Sequence, residues 1–478
     1  MTTTNPSARV AVIGAGITGL TAAWELQQAG ITPVVFERSS RIGGVIGAMR
    51  SDGWLHELGP NSLLENSPAV SAFVDALGLG SRRLYASPAA KRRYVVRGGQ
   101  LIAVPASPLG FLTTKLFSWR AKLRLLGEPW RPRLAPDIEE SVADFVTRRL
   151  GREFLDYAVN PFVGGVYAGD PARLSVKHAF PKLHALEQEH GSLLRGALAR
   201  RNASGGPAGR IFSFPNGLGE LPGAIAQSLG TAVQLQTTVK TLRHTADGWE
   251  VDYEKGGLLR TEKFAAVICA LPADPLAALE LEGVPTARRL GLLRQIEHAP
   301  VVSVFTGFQR EDVRHPLDGF GLLMPEVEPG KILGTLFSST LFPGRAPEGF
   351  VALTSFVGGM RNPELAALDD ETLLTIVQRE LARLAGVRQP AVFTHVQRCP
   401  RAIPQYTLGF QRHEDAIAAV EAAAPGLFIG GNGRDGISLT HCIASGQRLA
   451  ATAGVALQAS CRRGRADLSQ NIQPAGCA

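Results

Sequence analysis

The residue types that first indicate chemistry are glycines close to the N-terminus. The segment RVAVIGAGITGL, residues 9–20, joins a short apolar run to glycines spaced as G-x-G-x-x-G, which are Gly14, Gly16 and Gly19. In this spacing Gly14 can turn with positive φ, Gly16 lets a pyrophosphate approach the backbone, and Gly19 lets a helix pack closely on the strand. The motif therefore predicts dinucleotide binding by a strand, a tight turn and a helix.

An acidic residue follows at the distance that this interpretation requires. Residues 20–29 are predicted to form a helix that ends at Gly30, and residues 33–36 a second apolar strand that ends at Glu37. A carboxylate in that position accepts hydrogen bonds from ribose hydroxyls and repels a 2′-phosphate, which argues against NADP. The pattern leaves open whether the dinucleotide carries a nicotinamide or a flavin, and the simpler alternative is an ordinary βαβ unit.

Two further glycine turns follow the acidic residue. The sequence RIGG at 41–44 leaves backbone open to a phosphate or a ring, with positive charge from Arg41. The sequence ELGPNSLLE at 57–65 predicts a second tight, polar turn. Each could be a simple turn, but their distances from the first motif favour a shared role in binding.

Composition and charge limit the class of protein. The chain has 478 residues, of which 45% are hydrophobic and 19% are charged, so we expect a globular protein with roughly two or three domains. Its net charge of +8, from 50 basic and 42 acidic residues, favours anionic partners such as acidic small molecules or lipid head groups. No nucleic-acid-binding motif, Walker loop or G-x-S-x-G elbow occurs, and no nucleic acid partner is expected.

Cysteines and apolar segments bear on the location of the protein. The five cysteines are widely spread and lack metal-ligand spacing, which indicates a reducing compartment and predicts no metal site. The opening residues MTTTNPSA carry no charged leader, and no run of about eighteen apolar residues occurs. We therefore expect a cytoplasmic protein without a signal peptide or a membrane-spanning helix.

Residues 111–133 have a different composition from the rest of the chain. Apolar residues recur at helical spacing and form one predicted stripe, which consists of Leu112, Leu116, Trp119, Leu123 and Leu126. Basic residues lie beside this stripe, and the following turn adds Trp130, Arg131 and Arg133. Two interpretations fit this segment equally well: a helix that lies at a membrane surface, and a helix packed on the core with a solvated basic face.

The motifs together resemble a known family. The first glycine motif and RIGG are similar to the signature of the flavin amine-oxidase superfamily. Within it, the chain most resembles the oxygen-dependent protoporphyrinogen oxidases, through ELGPNS, KRRYVVRGG, GGVYAGDPARLSVKHAFP, FPNGLGELP, DGFGLLMP and IPQYTLGF. The resemblance covers residues 9 to about 455. It implies that the dinucleotide is tightly held FAD.

The resemblance also implies which residues hold the cofactor. Pyrophosphate contacts would come from Gly14, Ala15, Gly16, Ile17, Thr18 and Gly19, and contacts around the ribose from Glu37 and Arg38. The flavin side would be lined by Arg41, Gly43, Gly44, Gly59, Pro60, Asn61 and Ser62. Val239 would meet the adenine through its backbone, and the pyrimidine end of the flavin would meet Ile437, Ser438 and Leu439. A helix beginning near Thr440 would direct its positive end at the flavin.

Two stretches depart from the pattern of the family. Members usually have Asn-Asp before a shared Cys-Ile, where this chain has Thr440-His441, and the sequence GNGRDG at 431–436 is also unusual. These differences bear on the electronic tuning of the flavin and on its oxidation by oxygen. They do not affect the expectation that FAD binds.

The substrate residues that the resemblance implies are Arg93, Gly165, Phe320, Leu323 and Phe356. Arg93 would pair with a propionate, the three apolar side chains would clamp a macrocycle, and Gly165 would face the ring. The implied reaction oxidises protoporphyrinogen IX to protoporphyrin IX in three two-electron steps, with molecular oxygen as acceptor and hydrogen peroxide as product. No catalytic side chain is assigned, because the cofactor carries the chemistry.

Three alternatives stay open. The first is coproporphyrinogen III as substrate, the second is an amine or polyene as substrate of another oxidase or desaturase in the superfamily, and the third is a flavin-binding protein without turnover. Peripheral membrane contact and a homodimer also stay open.

The expected fold is mixed α/β. An FAD-binding, Rossmann-like domain would be assembled from residues 1–88, 206–275 and 401–457. A helical, membrane-facing subdomain with part of the substrate site would occupy 89–205, and a β-rich substrate domain 276–400. Residues 458–478 would form a flexible tail, and the Gly/Ser/Pro-rich stretch 200–210 would mark a boundary.

Overall fold

A computed structural model describes residues 9–135, 137–203 and 209–470. The strands in these ranges are β1 Arg9–Ile13, β2 Thr32–Phe36, β3 Ala48–Ser51, β4 Trp54–Glu57, β5 Leu63–Glu65, β6 Leu84–Tyr85, β7 Arg92–Arg97, β8 Gln100–Ala103, β9 Arg210–Ser213, β10 Val233–Gln234, β11 Thr237–Thr245, β12 Gly248–Lys255, β13 Leu258–Phe264, β14 Ala266–Cys269, β15 Glu280–Glu282, β16 His298–Gln309, β17 Gly319–Leu323, β18 Ile332–Leu336, β19 Phe350–Gly358, β20 Phe393–Pro404 and β21 Leu427–Ile429.

The helices are α1 Ile17–Gln28, α2 Pro68–Ala76, α3 Pro108–Thr113, α4 Trp119–Leu126, α5 Val142–Arg149, α6 Arg152–Phe154, α7 Asn160–Tyr167, α8 Val176–Ala179, α9 Pro181–His190, α10 Leu193–Ala203, α11 Glu220–Leu229, α12 Ala273–Ala278, α13 Ser338–Leu341, α14 Asp370–Ala385, α15 Gln411–Ala423 and α16 Leu439–Gln470. A π-helical turn, Leu155–Val159, leads into α7. The predicted mixed α/β fold is confirmed.

The dinucleotide motif lies in a five-stranded parallel sheet with the order β10-β2-β1-β14-β21. β1 is central and its Val10 and Val12 are fully buried, which explains the continuous apolar run at the start of the motif. The strands come from three stretches of chain that are far apart in sequence. Helices α1 and α16 pack against each other on this sheet, and Gly446 allows close approach because a Cβ there would lie 2.5 Å from the carbonyl oxygen of Thr18.

A seven-stranded sheet, β20-β16-β19-β18-β17-β7-β8, forms the second large layer. Helix α14 covers one face, where Leu373, Val377 and Leu381 are fully buried. The opposite face receives α7, which approaches β17. Strands β7 and β8 belong to this sheet, although they lie within residues 89–205, the predicted helical subdomain.

The predicted apolar helix in 111–133 is wrong. The segment forms two short helices, α3 and α4, because Thr114 is extended and the hydroxyl of Ser118 caps α4 by accepting a hydrogen bond from the Ala121 N–H. Leu116 lies in the loop between them and is 1% exposed. The predicted stripe is therefore divided between the core and the surface.

The C-terminal helix extends further than the sequence pattern indicated. Helix α16 includes residues 458–470 of the predicted tail, and 471–478 lie outside the described residues. Helix α10 ends at Ala203, so it enters the predicted boundary at 200–210, of which 204–208 are not described.

A buried histidine lies where β4 packs on the seven-stranded sheet. The ring of His56 is 4.0 Å from that of His395 and also contacts Phe305 and Phe393. Neither ring nitrogen of His56 has a hydrogen-bond partner in the structure. Burial, followed by the proximity of His395, lowers the pKa of His56 to about 4. The folded protein therefore favours the neutral form of the His56 imidazole.

We expect the protein to lose stability as the pH falls below about 6.5. In this range His56 is protonated in the unfolded chain, whereas in the folded chain it stays neutral down to its lowered pKa of about 4. The slope from this residue approaches about 1.4 kcal/mol per pH unit. His56→Phe should flatten the acid limb of a plot of melting temperature against pH. His190→Phe, at the half-exposed end of α9, is the control. An unchanged slope in His56→Phe would contradict this assignment.

Candidate cofactor and substrate site

The first glycine turn has one closed and one open side. Gly14 turns with φ +102° and donates its N–H to the carbonyl of Phe36 over 2.8 Å. A Cβ at Gly19 would lie 2.0 Å from the carbonyl oxygen of Gly14, so α1 packs directly on the turn. A Cβ at Gly16 would meet no protein atom within 4 Å. The open side of the turn, next to the N-terminus of α1, is where a phosphate can approach.

The RIGG turn lies against the first turn. The Gly43 N–H donates to the carbonyl of Ala15 over 2.8 Å, and Gly16 and Gly43 form a parallel bridge. The guanidinium of Arg41 donates to the carbonyls of Gly44 and Ile46. Arg41 therefore fixes the shape of the second turn, in addition to the charge that the sequence indicated.

Glu37 is held at the end of β2 in a defined orientation. Its Oε2 accepts the Ala15 N–H over 2.8 Å, and its Oε1 accepts the N–H and hydroxyl of Ser39 over 2.9 and 2.8 Å. The backbone carbonyl of Glu37 accepts the N–H of Thr237, at the start of β11, which brings Val239 to the same end of the sheet. Arg38 is exposed beside this group.

The third turn closes on the second. A Cβ at Gly59 would lie 2.2 Å from the carbonyl oxygen of Val45, so only glycine fits this approach. The side-chain amide of Asn61 donates to the Gly59 carbonyl over 3.2 Å, which fixes the turn, and Pro60 and Ser62 are half-buried in it. All three predicted turns are therefore adjacent in space.

We call the three glycine turns (residues 14–19, 41–44 and 59–62), Glu37 and the loop before α16 the cofactor cradle. That loop forms the far end of the cradle and places Ile437, Ser438 and Leu439 at the helix N-terminus. The Ser438 hydroxyl accepts the N–H of His441 over 3.1 Å, and the Thr440 hydroxyl donates to the carbonyl of Leu64 over 3.0 Å. The positive end of α16 is thereby held beside the strand that follows the third turn.

Two residues of the unusual sequence GNGRDG, Arg434 and Asp435, make hydrogen bonds and ion pairs that hold this loop in place. Asp435 accepts the Gly431 N–H and the Ser445 hydroxyl over 3.0 and 2.6 Å and pairs with Arg448 at 2.9 Å. Arg434 pairs with Glu421 at 2.8 Å. The departure from the usual family pattern therefore has a structural role, because these side chains hold the loop backbone in place.

Gly16 offers a direct test of the cradle. We expect Gly16→Val to fold normally and to lose bound FAD, because the new side chain enters only the open space that the cofactor needs. Gly19→Ala should instead lower the melting temperature of the apoprotein, because its Cβ overlaps the Gly14 carbonyl. Flavin absorbance after purification and apoprotein melting temperature distinguish the two variants. Full FAD retention in Gly16→Val would contradict this placement of the cofactor.

The predicted substrate residues meet on the face of the seven-stranded sheet that α7 approaches. Leu323 on β17, Gly334 on β18 and Phe356 on β19 are paired in one row across the strands. Gly165 on α7 faces this row, because a Cβ there would lie 2.7 Å from Cδ2 of Leu323. Gly165 is exposed and Leu323 and Phe356 are half-buried, so α7 and this row form an apolar surface open to a ligand, which we call the substrate cleft.

Arg93 lies at one end of the substrate cleft. Its guanidinium carbon is 5.5 Å from the centre of the Phe320 ring, and β7 pairs Arg93 with Gly321 of β17. Arg93 is exposed and, within the described ranges, has no acidic partner, whereas its neighbour Arg92 pairs with Asp318. The structure therefore brings all five predicted substrate residues together, with one cation free to bind an anion.

The next arginine on the same side of β7 is already neutralised. Arg97 pairs with Glu153 at 2.6 Å, donates to the carbonyl of Leu116, and lies over the Tyr157 ring at 4.3 Å. Strand alternation places Arg93 and Arg97 on one face. Only the Arg93 end of this row therefore offers an unpaired positive charge.

Two exposed apolar residues of α7 close to Gly165 were not predicted from the sequence. Phe162 and Val166 on α7 are 48% and 41% exposed and lie three residues before and one residue after Gly165. The i, i+3 spacing places Phe162 on the side of the helix that carries Gly165, and the i, i+4 spacing places Val166 beside Phe162. Their signal in the sequence was an apolar i, i+4 pair flanking a glycine.

Tyr406 links the cradle to the substrate cleft. Its hydroxyl donates to the carbonyl of Asn432 over 2.6 Å and accepts the N–H of Gly436 over 2.9 Å. Its ring packs 6.3 Å from that of Tyr167, at the end of α7. Burial raises the pKa of Tyr406 well above its usual value, so this link is neutral at physiological pH.

Among the described residues, no cluster of histidine, cysteine or carboxylate side chains could hold a metal ion. The glycine turns, Glu37 and the N-terminus of α16 fit a flavin dinucleotide, because an acid for the ribose, open backbone for the pyrophosphate and a positive helix end for the ring system occur along one surface.

Comparisons with known proteins agree with this geometry. Residues 17–453 match the family model of flavin-containing amine oxidoreductases. The chain is 33% identical to protoporphyrinogen oxidase 2 of Arabidopsis thaliana over 92% of this chain and 93% of that protein. It is 29% identical to coproporphyrinogen III oxidase of Staphylococcus aureus over 92% of this chain and 97% of that protein.

Solved structures share the fold. An Exiguobacterium protein provisionally named a protoporphyrinogen oxidase superposes with a TM-score of 0.79 at 23% identity, covering 95% of this chain and 99% of that one. Cyclohexylamine oxidase of Brevibacterium oxydans superposes with a TM-score of 0.68 at 15% identity, covering 94% and 99%. The chain therefore belongs to the flavin-containing amine oxidoreductase family and is an FAD-dependent oxidoreductase.

Proposed function

We propose that the protein oxidises protoporphyrinogen IX to protoporphyrin IX, with molecular oxygen as electron acceptor and hydrogen peroxide as product. The observation that carries this proposal is the unpaired Arg93 at one end of an otherwise apolar cleft. A macrocycle with carboxylates at one edge and apolar substituents elsewhere matches that distribution of charge. Relatives named as oxidases of protoporphyrinogen and coproporphyrinogen support the substrate class.

Bound FAD supplies the hydride acceptor. Each of three steps removes a hydride and a proton from the macrocycle and reduces one oxygen molecule to hydrogen peroxide, so six hydrogens are lost in all. The chain's own contribution is to bind and orient: Arg93 fixes the propionate edge, while Leu323 and Phe356 exclude water from the ring. The hydride and the proton of each step leave as the two hydrogens of hydrogen peroxide, and we assign no side chain as catalytic acid or base.

The same arrangement disfavours an amine substrate. A cationic amine entering the substrate cleft would meet the unpaired guanidinium of Arg93 and be repelled by it. Coproporphyrinogen III stays the main alternative, because its carboxylates could also bind Arg93.

The proposal is tested by measuring porphyrin fluorescence and peroxide release from the FAD-loaded protein with each porphyrinogen. We expect porphyrin and peroxide to appear together in a ratio of one to three. Porphyrin formation no faster than autoxidation with both substrates would overturn the proposal and leave a flavin-binding protein without turnover.

We also propose that α3 and α4 contact a membrane surface. Large apolar side chains are exposed on these helices and in the turn after α4, namely Leu109, Leu112, Trp119, Leu123, Leu126 and Trp130, each between 49% and 78%. Exposed basic residues flank them, namely Lys115, Arg120 and Arg124. This combination is typical of a surface that binds anionic lipid. No described helix has both the length and the apolar character needed to cross a bilayer.

Trp119→Glu combined with Leu123→Glu is expected to abolish co-sedimentation with vesicles that contain anionic lipid, because both exposed side chains would lose their apolar contact. The matched control is Leu258→Glu combined with Leu259→Glu, which changes two equally exposed residues, 61% and 75%, on the edge strand β13. Leu116 is unsuitable for this test because it is buried. Equal sedimentation of the two double variants would remove the membrane proposal.

The free thiols of the described cysteines, Cys269, Cys399 and Cys442, fit the proposed reducing, cytoplasmic location. The proposed division into cofactor segments, substrate domain and helical subdomain can be tested by limited proteolysis, with early cleavage expected between residues 200 and 210.

A further inference from the structure

One arginine contacts both walls of the substrate cleft from behind. Arg361 follows β19 and is half-buried. Its Nη1 donates to the carbonyl of Met324 over 3.0 Å, and its Nη2 donates to Oδ1 of Asn160 over 3.0 Å. Met324 directly follows Leu323 on one wall, and Asn160 begins α7, which carries Gly165 on the other. The Arg361 side chain therefore joins the two elements whose separation defines the cleft.

A carboxylate completes this connection. Nδ2 of Asn160 donates to Oε2 of Glu326 over 2.8 Å, and the Glu326 N–H donates to Oδ1 of Asn160 over 3.0 Å. Asn160 is 6% exposed, so its amide is committed to these partners. Burial lowers the pKa of Arg361, and the charges of Glu326 and Asp170 oppose that shift. The Arg361 guanidinium is therefore a partly desolvated cation, and the nearby carboxylates of Glu326 and Asp170 offset its charge.

The two walls are in contact where Arg361 holds them. A Cβ at Gly164 would lie 3.3 Å from Nη2 of Arg361, and a Cβ at Gly165 would lie 2.7 Å from Cδ2 of Leu323. A small outward movement of α7 would therefore change the width of the cleft at the position where a macrocycle must fit.

We propose that Arg361 is a positioning residue that sets the width of the substrate cleft by holding α7 against the end of β17, with Asn160 and Glu326 as its partners. The inference rests on the proposed function for its substrate. Arginine suits this role because its planar fork donates to two acceptors in fixed directions, which the single ammonium group of lysine cannot reproduce.

Steady-state kinetics with protoporphyrinogen IX test this proposal. We expect Arg361→Lys to raise KM at least about fivefold and to leave kcat within about twofold. The variant would loosen the contact of α7 with β17, which weakens substrate binding, while the contacts to the cofactor stay unchanged. The matched control is Arg310→Lys, since Arg310 also donates to two backbone carbonyls, those of Val313 and His315, but lies outside the cleft. An unchanged KM in Arg361→Lys, or equal increases in both variants, would overturn the proposal.

A double-mutant cycle separates positioning from general stability. In the parent protein Gly165→Ala forces a Cβ against Leu323, whereas a loosened α7 in Arg361→Lys can yield to it. We expect the loss in kcat/KM caused by Gly165→Ala to be at least about threefold smaller in the Arg361→Lys background. Additive losses would contradict the proposal.

The same cycle read in melting temperature tests the packing without turnover. Gly165→Ala should lower the melting temperature less in the Arg361→Lys background than in the parent protein. Absence of porphyrin formation by the parent protein would overturn the proposed function. Separately, an equal decrease in melting temperature on Gly165→Ala in both backgrounds would show that Arg361 does not hold α7 against β17.

Discussion

Arg93→Ala is expected to lower kcat/KM for protoporphyrinogen IX by about ten- to a hundred-fold. A propionate bound by an arginine gains charge-assisted hydrogen bonds worth roughly 1.5–3 kcal/mol, which corresponds to this range. The expectation depends on the guanidinium being available to substrate. Arg93 is exposed, lies over Phe320 and has no acidic partner within the described ranges, so no competing ion pair must first be broken.

The neighbouring residue provides the control for this prediction. Arg92 is equally basic, and its side chain is 62% exposed, but it pairs with Asp318. Arg92→Ala should therefore leave kcat/KM within about twofold. Arg93→Lys should fall between the parent and Arg93→Ala, because a lysine keeps the charge and loses the bidentate geometry. Equal effects of Arg92→Ala and Arg93→Ala would show that general surface charge, and not a specific contact, attracts the substrate.

The cofactor cradle could be anticipated from the sequence because its chemistry acts through local backbone. Gly14, Gly16 and Gly19 are required by a turn, an open approach and a close packing contact, and each of these needs lies within a few residues. Glu37 follows from the length of one βαβ unit. By contrast, the carbonyl partners of Arg41 depend on the path of a loop, which residue types alone do not specify.

The substrate cleft could be named only through the resemblance, since its residues are far apart in the chain. Parallel pairing of β7 with β17 brings Arg93 next to Gly321, and α7 adds Gly165 from a third region. No local pattern predicts such long-range pairing. Phe162 and Val166 could have been found, because they form an apolar i, i+4 pair on a helix and flank Gly165.

The incorrect helix in 111–133 has a local cause. Apolar periodicity alone connected Leu112, Leu116 and Trp119 into one stripe, but Ser118 is a strong N-cap that begins a new helix at Trp119. Ser118 could be recognised in the sequence as an N-cap, and its preference for beginning a helix decides the structure here, in spite of the apolar periodicity. The result matters for function because it removes Leu116 from the surface and leaves Leu112 and Trp119 exposed.

Substrate choice is the second large effect that the structure predicts. We expect kcat/KM for protoporphyrinogen IX to exceed that for coproporphyrinogen III by at least about a hundredfold, which corresponds to about 2.7 kcal/mol. Coproporphyrinogen III carries two additional propionates where protoporphyrinogen IX carries vinyl groups. In the substrate cleft these would face the apolar walls formed by Leu323 and Phe356, and burial of an unpaired carboxylate costs several kcal/mol.

The charges along β7 strengthen this expectation. Beyond Arg93, the next arginine on the same face is Arg97, whose guanidinium is already bound by Glu153 and by the carbonyl of Leu116. A second pair of carboxylates would therefore find no further unpaired arginine along this face of β7, all of whose residues the structure describes. Leu323→Lys places one in the apolar wall and should narrow the ratio between the two substrates, whereas Leu323→Met, with similar volume and no charge, should preserve it. Comparable kcat/KM values for both porphyrinogens in the parent protein would instead make coproporphyrinogen III the better assignment, because the apolar wall would then not enclose the edge that distinguishes them.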